Sequence, residues 1–157
     1  MRLTDMASNG KGFQKIVVAF DGSKDSMEAV RLACSMAAKF GSKLTVAHVY
    51  SSPAMIFSGG AGIPNPNYSE LDDAAKEAAE AVLSRGVQLA AQAGANAKGE
   101  LLEAASVVEA LVGFATDQKA DLIVVGTRGM TGFKKLIVGS VSSGLVGHSH
   151  CPVLVVR

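Results

Sequence analysis

The chain has 157 residues, of which 48% are hydrophobic and 18% charged, and its formal net charge at pH 7 is +1. This length suits one domain, expected over residues 13–157 after a flexible lead-in over residues 1–12, and the near-neutral charge argues against a nucleic-acid-binding protein. No apolar run approaches the roughly 20 residues of a membrane-spanning helix and residues 1–12 lack a signal-peptide core, so we expect no membrane insertion and a cytoplasmic location.

Apolar runs and helical repeats alternate along the chain. In chain order, the predicted elements are a strand over Lys15–Phe20, a helix from Ser23 or Lys24 to Phe40, a strand over Lys43–Tyr50, a helix over Ser69–Ala93, a strand over Lys98–Glu103, a helix opened by the capping box Ser106–Glu109 and running to about Gln118, a strand over Ala120–Val125, a helix over Ser140–His148 and a strand over Val153–Val156. This alternation predicts an α/β fold with an open parallel five-stranded sheet and helices on both faces.

One connection is much longer than the others. Residues Ser51–Tyr68 read as irregular, with Ser-Ser-Pro and Pro-Asn-Pro on either side of a glycine-rich stretch. Connections of this length are usually either functional or disordered. Because this one leaves the second strand at its carboxyl end, it either covers a ligand bound there or has no role in binding.

The most informative stretch is the glycine-rich segment Gly126–Ser140, which follows the apolar run Asp121–Val125. It reads Gly-x-x-Gly, nine further residues and then Gly-Ser. A buried strand, a glycine-rich loop and a helix start together present backbone N–H groups to phosphate, and glycine allows close approach of the backbone. The Walker-type pattern and the dinucleotide fingerprint are both absent. The segment therefore predicts a nucleotide or phosphate site of another kind.

The distribution of charge supports an anion site independently. Residues 1–121 carry eleven Lys and Arg against fourteen Asp and Glu. Residues 122–157 carry no acidic residue and four cations, which are Arg128, Lys134, Lys135 and Arg157. A bound anion would meet no local repulsion there. Alternatively, the two lysines only keep a surface loop soluble.

The spacing of the glycine-rich segment resembles that of ATP-binding members of the universal stress protein family. The resemblance runs from about Phe13 to Arg157 and includes the first strand with its turn, Val17–Ser23, the triplet Ala47–Val49 and the ending Cys151–Arg157. It implies the strand order 3-2-1-4-5 of Rossmann-like, adenine nucleotide alpha hydrolase-like sheets. It also implies a stress-response or regulatory protein that holds ATP, or ADP or AMP, with Mg²⁺.

The resemblance also implies roles for individual residues. Ala19 and Phe20 would line the base and ribose pocket, and Val49 would bind adenine through its backbone. Asp21 would face the ribose or a phosphate-bound Mg²⁺, and it would also cap the following helix. The ribose and phosphates would be held by Gly126, Arg128, Gly129, Gly139, Ser140, Val141 and Ser142.

Catalysis is expected to be weak or absent. No carboxylate follows Asp121, so the phosphate loop lacks a base that could orient water, and no catalytic residue is assigned. The guanidinium of Arg128 either pairs with phosphate oxygens or points to solvent. A slow ATPase and a nucleotide-independent dimeric scaffold are the alternatives, although a scaffold would not need glycine at these positions.

The last strand predicts a homodimer. It consists of four consecutive apolar residues, Val153, Leu154, Val155 and Val156. In the implied strand order it lies at the sheet edge, where unpaired N–H and C=O groups favour pairing with a second copy. Alternatively, residues 1–12 cover this edge.

The cysteines and the strand histidine are interpreted as structural. Cys34 and Cys151 have no partner at a metal-like spacing and are expected to be small core residues rather than a disulfide. His48 lies within a strand and is expected to be a hydrogen-bonded structural histidine. The run His148–Cys151 is disfavoured as a metal site because ligands so close together cannot easily close a tetrahedron.

Overall fold

The structure is a computed structural model that describes residues 12–57, 67–128 and 138–157. Its five strands are all parallel and lie in the order β3-β2-β1-β4-β5. In chain order the elements are β1 (Lys15–Ala19), α1 (Lys24–Phe40), β2 (Lys43–Tyr50), α2 (Pro53–Phe57), α3 (Asn67–Gln92), β3 (Ala97–Glu103), α4 (Val107–Asp117), β4 (Leu122–Gly126), α5 (Ser140–His148) and β5 (Val153–Val156). The predicted fold class and the implied strand order are confirmed.

The sheet separates two apolar cores, because alternate residues of a strand point to opposite faces. Ile16 and Val18 of β1 enter the core beneath α1 and α3. Val17 and Ala19 enter the core beneath α4 and α5. Helices therefore cover both faces, as predicted. None of the helices within residues 12–57, 67–128 and 138–157 is long and apolar enough to cross a bilayer.

The end of α4 explains a shift in the predicted start of β4. Lys119 has a positive φ of 54°, and its N–H donates to the carbonyl of Thr116, while that of Ala120 donates to Ala115. This pair of hydrogen bonds is a Schellman motif, which terminates the helix. Ala120 therefore belongs to the helix end, and the strand begins at Leu122 rather than Ala120.

The predicted irregular connection Ser51–Tyr68 is wrong at its two ends, which contain α2 and the start of α3. Pro53 occupies the first helical position, where its missing N–H costs nothing. The hydroxyl of Ser52 accepts from the N–H of Met55 at 3.3 Å, and the N–H of Ala54 donates to the carboxylate of Asp72 at 3.0 Å. Residues 58–66 lie outside the described part of the chain.

The chain leaves β1 and β4 toward opposite faces of the sheet. After β1 it enters α1 on one face, and α5, the next described element after β4, lies on the other. In open parallel sheets such a reversal leaves a crevice at the carboxyl ends of the two strands, where ligands usually bind. The fold thus places the end of β1 and the start of α5 around one crevice.

Candidate functional site

A cleft of about 190 Å³ opens at the carboxyl ends of β1, β2 and β4. Its lining residues are Ala19, Phe20, Asp21, Ser26, Ala47, His48, Val49, Val107, Leu111, Val125, Gly126, Thr127, Arg128, Gly139, Ser140, Val141 and Ser142. Ten of the eleven residues predicted to bind nucleotide are among them. The eleventh, Gly129, lies outside the described residues. The structure therefore brings the described candidates together, while their role in binding stays a prediction.

The backbone of Val49 faces the cleft. The carbonyl of Ala47 points to the β1 side of β2, where it accepts from the N–H of Phe20 at 2.9 Å. The carbonyl of Tyr50 points to the β3 side, where it accepts from the N–H of Ala104 at 3.0 Å. Backbone groups alternate in direction along a strand within a parallel sheet. The N–H and C=O of Val49 therefore point to the β1 side, as those of Ala47 do. Because β1 has already ended there, this donor and acceptor are directed into the cleft.

Asp21 forms a turn at the cleft wall and does not cap α1. Its Oδ1 accepts from the N–H of Ser23 at 2.9 Å, an interaction typical of Asx turns. The N-cap is Ser23, whose hydroxyl accepts from the N–H of Ser26 at 3.2 Å. The prediction that Asp21 caps the helix is wrong because the extended backbone of Ser23 places its own hydroxyl over the first turn.

The start of α5 presents backbone donors to the cleft. Its N-cap is Gly139, which makes no side-chain capping hydrogen bond. The first backbone N–H in an intrahelical bond is that of Ser143, which donates to the carbonyl of Gly139 at 2.9 Å. Helix geometry leaves the N–H groups of Ser140, Val141 and Ser142 without intrahelical partners. These donors, with the positive end of the helix dipole, favour an anion.

The hydroxyl of Ser142 is part of the scaffold of this site. Its single proton is shared between the carbonyl oxygens of Thr127, at 3.1 Å, and Gly139, at 3.0 Å, and the residue is only 1% exposed. The same Thr127 carbonyl accepts from the N–H of Gly139 at 2.7 Å. Any contact of Ser142 with a ligand would therefore come from its backbone N–H.

Arg128 is held by Asp25, which the sequence analysis did not single out. Both the backbone N–H and the Nε–H of Arg128 donate to Asp25 Oδ2, at 3.2 and 3.3 Å. The hydroxyl of Ser23 donates to the carbonyl of Arg128 at 3.3 Å. An acidic residue in the first turn of a helix is common, so the sequence offered no signal for a contact across 103 positions.

The glycine at position 126 is required by packing within the protein. A Cβ there would lie 2.7 Å from the backbone carbon of Asp25 and 2.8 Å from the backbone nitrogen of Ser26. The glycine spacing predicted close approach of a ligand at this position, whereas the structure shows close approach of α1. A scaffold with no ligand would need Gly126 equally, so this residue does not argue against one.

The apolar wall of the cleft includes residues that the sequence analysis missed. Val107 and Leu111 of α4 line it, yet on the sequence they are indistinguishable from other apolar helix positions. His48 also lines it, and its Nδ1 lies 2.7 Å from the carbonyl of Phe20. Because a carbonyl only accepts, Nδ1 carries the proton. His48 is thus hydrogen-bonded within the protein, as predicted.

Both cysteines are free thiols; Cys34 is buried and Cys151 is half-buried. Burial is the main cause that raises the pKa of each thiol above its ordinary value. Both therefore favour the neutral form in the folded protein. No disulfide links them, which agrees with the prediction of structural thiols.

Comparison with known proteins agrees with this geometry. The model of the universal stress protein family matches residues 12–157. A universal stress protein of Methanocaldococcus jannaschii is 36% identical over 157 residues, covering 99% of this chain and 89% of the relative.

Solved structures of similar proteins share the fold. The universal stress protein UspA from Lactobacillus plantarum has a TM-score of 0.76 and 27% identity, covering 92% of this chain and 97% of its own. A universal stress protein in complex with cAMP has a TM-score of 0.65 and 31% identity, with coverage of 92% and 97%. One from Archaeoglobus fulgidus in complex with dAMP has a TM-score of 0.61 and 25% identity, with coverage of 92% and 98%. The family model spans nearly the whole chain and the alignment with the archaeal relative covers 99% of it, so the chain belongs to the universal stress protein family.

Proposed function

We propose that this protein binds an adenine nucleotide, ATP or else ADP or AMP, in the cleft at the carboxyl ends of β1 and β4. It would act as a regulatory or stress-response protein that responds to the bound nucleotide. The observation that carries the proposal is the direction of the Val49 backbone, whose N–H and C=O face the β1 side of β2 beyond the last paired residue of β1. Neither group has a backbone partner in the described part of the chain, and Val49 lines the cleft. Two similar proteins solved with cAMP and dAMP, both adenine nucleotides, support it.

The Val49 backbone suits adenine in particular. Adenine offers an amino donor beside a ring nitrogen acceptor, which complements a backbone C=O beside an N–H. Guanine presents an oxygen acceptor and a ring N–H at the corresponding positions, so both hydrogen bonds would be mismatched. A mismatched polar group in a largely apolar pocket is costly, because its partner is left unpaired. The apolar surfaces of Ala19, Val107 and Leu111 would contact the base.

The phosphates would lie at the start of α5. The backbone N–H groups of Ser140, Val141 and Ser142 point toward that end of the cleft, and the helix dipole adds roughly 0.3–1 kcal/mol for an anion at an exposed site. Arg128 also lines the cleft, and its guanidinium would pair with the phosphate oxygens. No acidic residue follows position 121 in the sequence, so the phosphates would meet little repulsion from this part of the chain. Gly129 would complete the contacts.

A Mg²⁺ ion would arrive with the nucleotide. Proteins usually bind Mg²⁺ through one or two carboxylates together with substrate phosphates and water. Asp21 supplies one carboxylate at the cleft wall. In the described ranges no three His, Cys, Asp or Glu residues lie close enough together to hold a metal ion by themselves. Asp21 with the phosphates is therefore the arrangement that fits.

Hydrolysis of the bound nucleotide is expected to be slow. Phosphoryl transfer to water needs a group that orients the water and charge that stabilises the transferred phosphoryl. Among the described lining residues Asp21 is the acidic one, and one of its oxygens already accepts from Ser23. Phosphate release is expected well below ordinary enzyme rates of about 1–10³ s⁻¹.

We also propose a homodimer built on β5, in a cytoplasmic protein. The strand lies at the edge of the sheet, and its four apolar residues are all partly exposed. Pairing with a second copy would satisfy the backbone groups of an edge strand and bury these side chains. The two free cysteines suit a reducing compartment. Residues 13–157 would form the single domain.

The proposal can be tested with the purified protein. Ligands released by denaturation are identified by mass spectrometry, and the protein freed of them is titrated with ATP, ADP and AMP in a calorimeter. We expect an adenine nucleotide in the released fraction or a saturable heat with at least one of the three. Neither a released nucleotide nor a heat of binding would contradict the proposal.

A further inference from the structure

The contact between Asp25 and Arg128 joins the first turn of α1 to the end of β4 beside the cleft. One carboxylate oxygen accepts from both the backbone N–H and the Nε–H of Arg128. The Arg128 carbonyl accepts in addition from the hydroxyl of Ser23, the N-cap of the same helix. Main chain and side chain of Arg128 are thus both held by the start of α1.

This contact uses one of the donors of the guanidinium. An arginine side chain has five N–H donors in a planar fork, and the Asp25 carboxylate takes only the one on Nε. Across residues 12–57, 67–128 and 138–157, no group accepts from the two terminal nitrogens of Arg128. The residue lines the cleft, and its side chain is 46% exposed, whereas that of Asp25 is only 11% exposed.

We propose that Asp25 is a positioning residue, which holds Arg128 so that its terminal nitrogens meet the phosphate of the bound nucleotide. This inference rests on the proposed function and adds a specific consequence to it. Asp25 should contribute to the affinity for phosphorylated ligands and contribute nothing for the nucleoside alone. A carboxylate that only tied α1 to β4 would affect both kinds of ligand equally.

The orienting effect of Asp25 is opposed by its charge. A fixed arginine loses less side-chain freedom when it binds phosphate, which favours binding. The negative charge of the carboxylate disfavours a nearby phosphate. Substitution separates the two effects, because Asp25→Asn keeps an acceptor oxygen without the charge and Asp25→Ala removes both. If positioning dominates, the ATP affinity of the asparagine variant should not fall more than about twofold below that of the original protein.

The experiment measures the affinities of ATP, AMP and adenosine by calorimetry for the full chain and its variants. Asp25→Ala should weaken ATP and AMP by about tenfold, within the range for residues coupled by a shared contact. It should leave adenosine within about twofold. Glu28→Ala is the matched control, since it removes one carboxylate from the same helix, where Glu28 pairs with exposed Arg31. It should change none of the three affinities.

Substitution of the arginine completes the test. Arg128→Met should weaken ATP as Asp25→Ala does, and adding Asp25→Ala to it should cause no further loss. Because Arg128 is largely exposed, this variant remains informative even if Asp25→Ala fails to fold. Unchanged ATP affinity in Arg128→Met would leave Asp25 nothing to position and would overturn the proposal.

Three other results would also overturn it. They are an equal loss for adenosine and ATP in Asp25→Ala, a further loss of ATP affinity when Asp25→Ala is added to Arg128→Met, and tighter ATP binding in Asp25→Ala. Failure of the original protein to bind any of the three ligands would instead refute the proposed function, and the inference with it. If the original protein binds ATP and one of these three variant results is found, the inference about Asp25 is refuted and the proposed function is not.

Discussion

Gly126 and Asp25 are in backbone contact, since a Cβ on the glycine would lie 2.7 Å from the backbone carbon of the aspartate. The end of β4 and the first turn of α1 therefore touch without an intervening side chain. This contact brings Asp25 to Arg128, so packing of the fold and geometry of the cleft depend on the same glycine.

Gly126→Ala should therefore destabilise the protein and weaken nucleotide binding together. The added methyl meets backbone atoms that cannot rotate away, and overpacking of this kind typically costs about 1–3 kcal/mol. Gly113→Ala is the control, because Gly113 lies in α4 with nothing within 4 Å of its added Cβ. That change should stabilise the helix by roughly 0.5–1 kcal/mol. Urea unfolding measures the change in stability of both variants. Equal effects of the two substitutions would contradict the packing assignment of Gly126.

Ser142→Ala should lower stability although it removes a single oxygen atom. The buried hydroxyl shares its one proton between the carbonyls of Thr127, just after β4, and Gly139, at the start of α5. Loss of a buried partner of this kind costs about 1–3 kcal/mol. Ser143→Ala changes the neighbouring exposed position of the same helix and should stay within about 0.5 kcal/mol. Thermal unfolding of the two variants compares them directly, and a stable Ser142→Ala protein would show that this hydroxyl is dispensable.

The free energy of unfolding should fall in alkaline solution because of Cys34. Burial raises the pKa of this thiol above its ordinary value of 9.0, although a hydrogen bond opposes the shift. The folded state thus favours the protonated thiol, a contribution that is complete below the unfolded pKa and is lost as pH rises through the folded pKa. Chemical unfolding at pH values between 8 and about 10.5 should therefore show a steeper decline for the original protein than for Cys34→Ala. Identical slopes would exclude this contribution.

The proposed homodimer would make β5 sensitive to charge. Val155→Lys places an ammonium group on the proposed contact strand, where burial of an unpaired charge is unfavourable. Light scattering at micromolar concentration should give a dimer mass for the original protein and a monomer mass for this variant. Leu71→Lys is the control, because Leu71 is 51% exposed on α3. This helix packs on β2 and β3, at the edge of the sheet opposite β5. A monomeric original protein, or a dimeric Val155→Lys variant that still melts cooperatively, would contradict the β5 interface.

The sequence was sufficient for the alternation of strands and helices, because hydrophobic periodicity is a local signal. The bounds of β2, α5 and β5 match the predicted ones. The cap at Ser106 is also confirmed, since its hydroxyl accepts from the N–H of Glu109. The strand order, in contrast, came only from the family resemblance.

Contacts between distant parts of the chain could not be predicted in the same way. The partnership of Asp25 with Arg128 depends on the placement of α1 against β4, and a first-turn aspartate has an ordinary local explanation. Likewise, α2 depends on a hydrogen bond from Ala54 to Asp72 in another helix. The glycines were found by their spacing, but the reason for Gly126 became clear only from the atoms that occupy its missing side-chain volume.

The choice of base tests the central claim most directly. Calorimetric titration of nucleotide-free protein with ATP and GTP compares ligands that carry the same phosphates and ribose. If the Val49 backbone reads the base, ATP should bind more tightly than GTP by at least about tenfold, because two hydrogen bonds are mismatched in GTP. Equal affinities for the two nucleotides, or no binding of either, would contradict adenine recognition in this cleft.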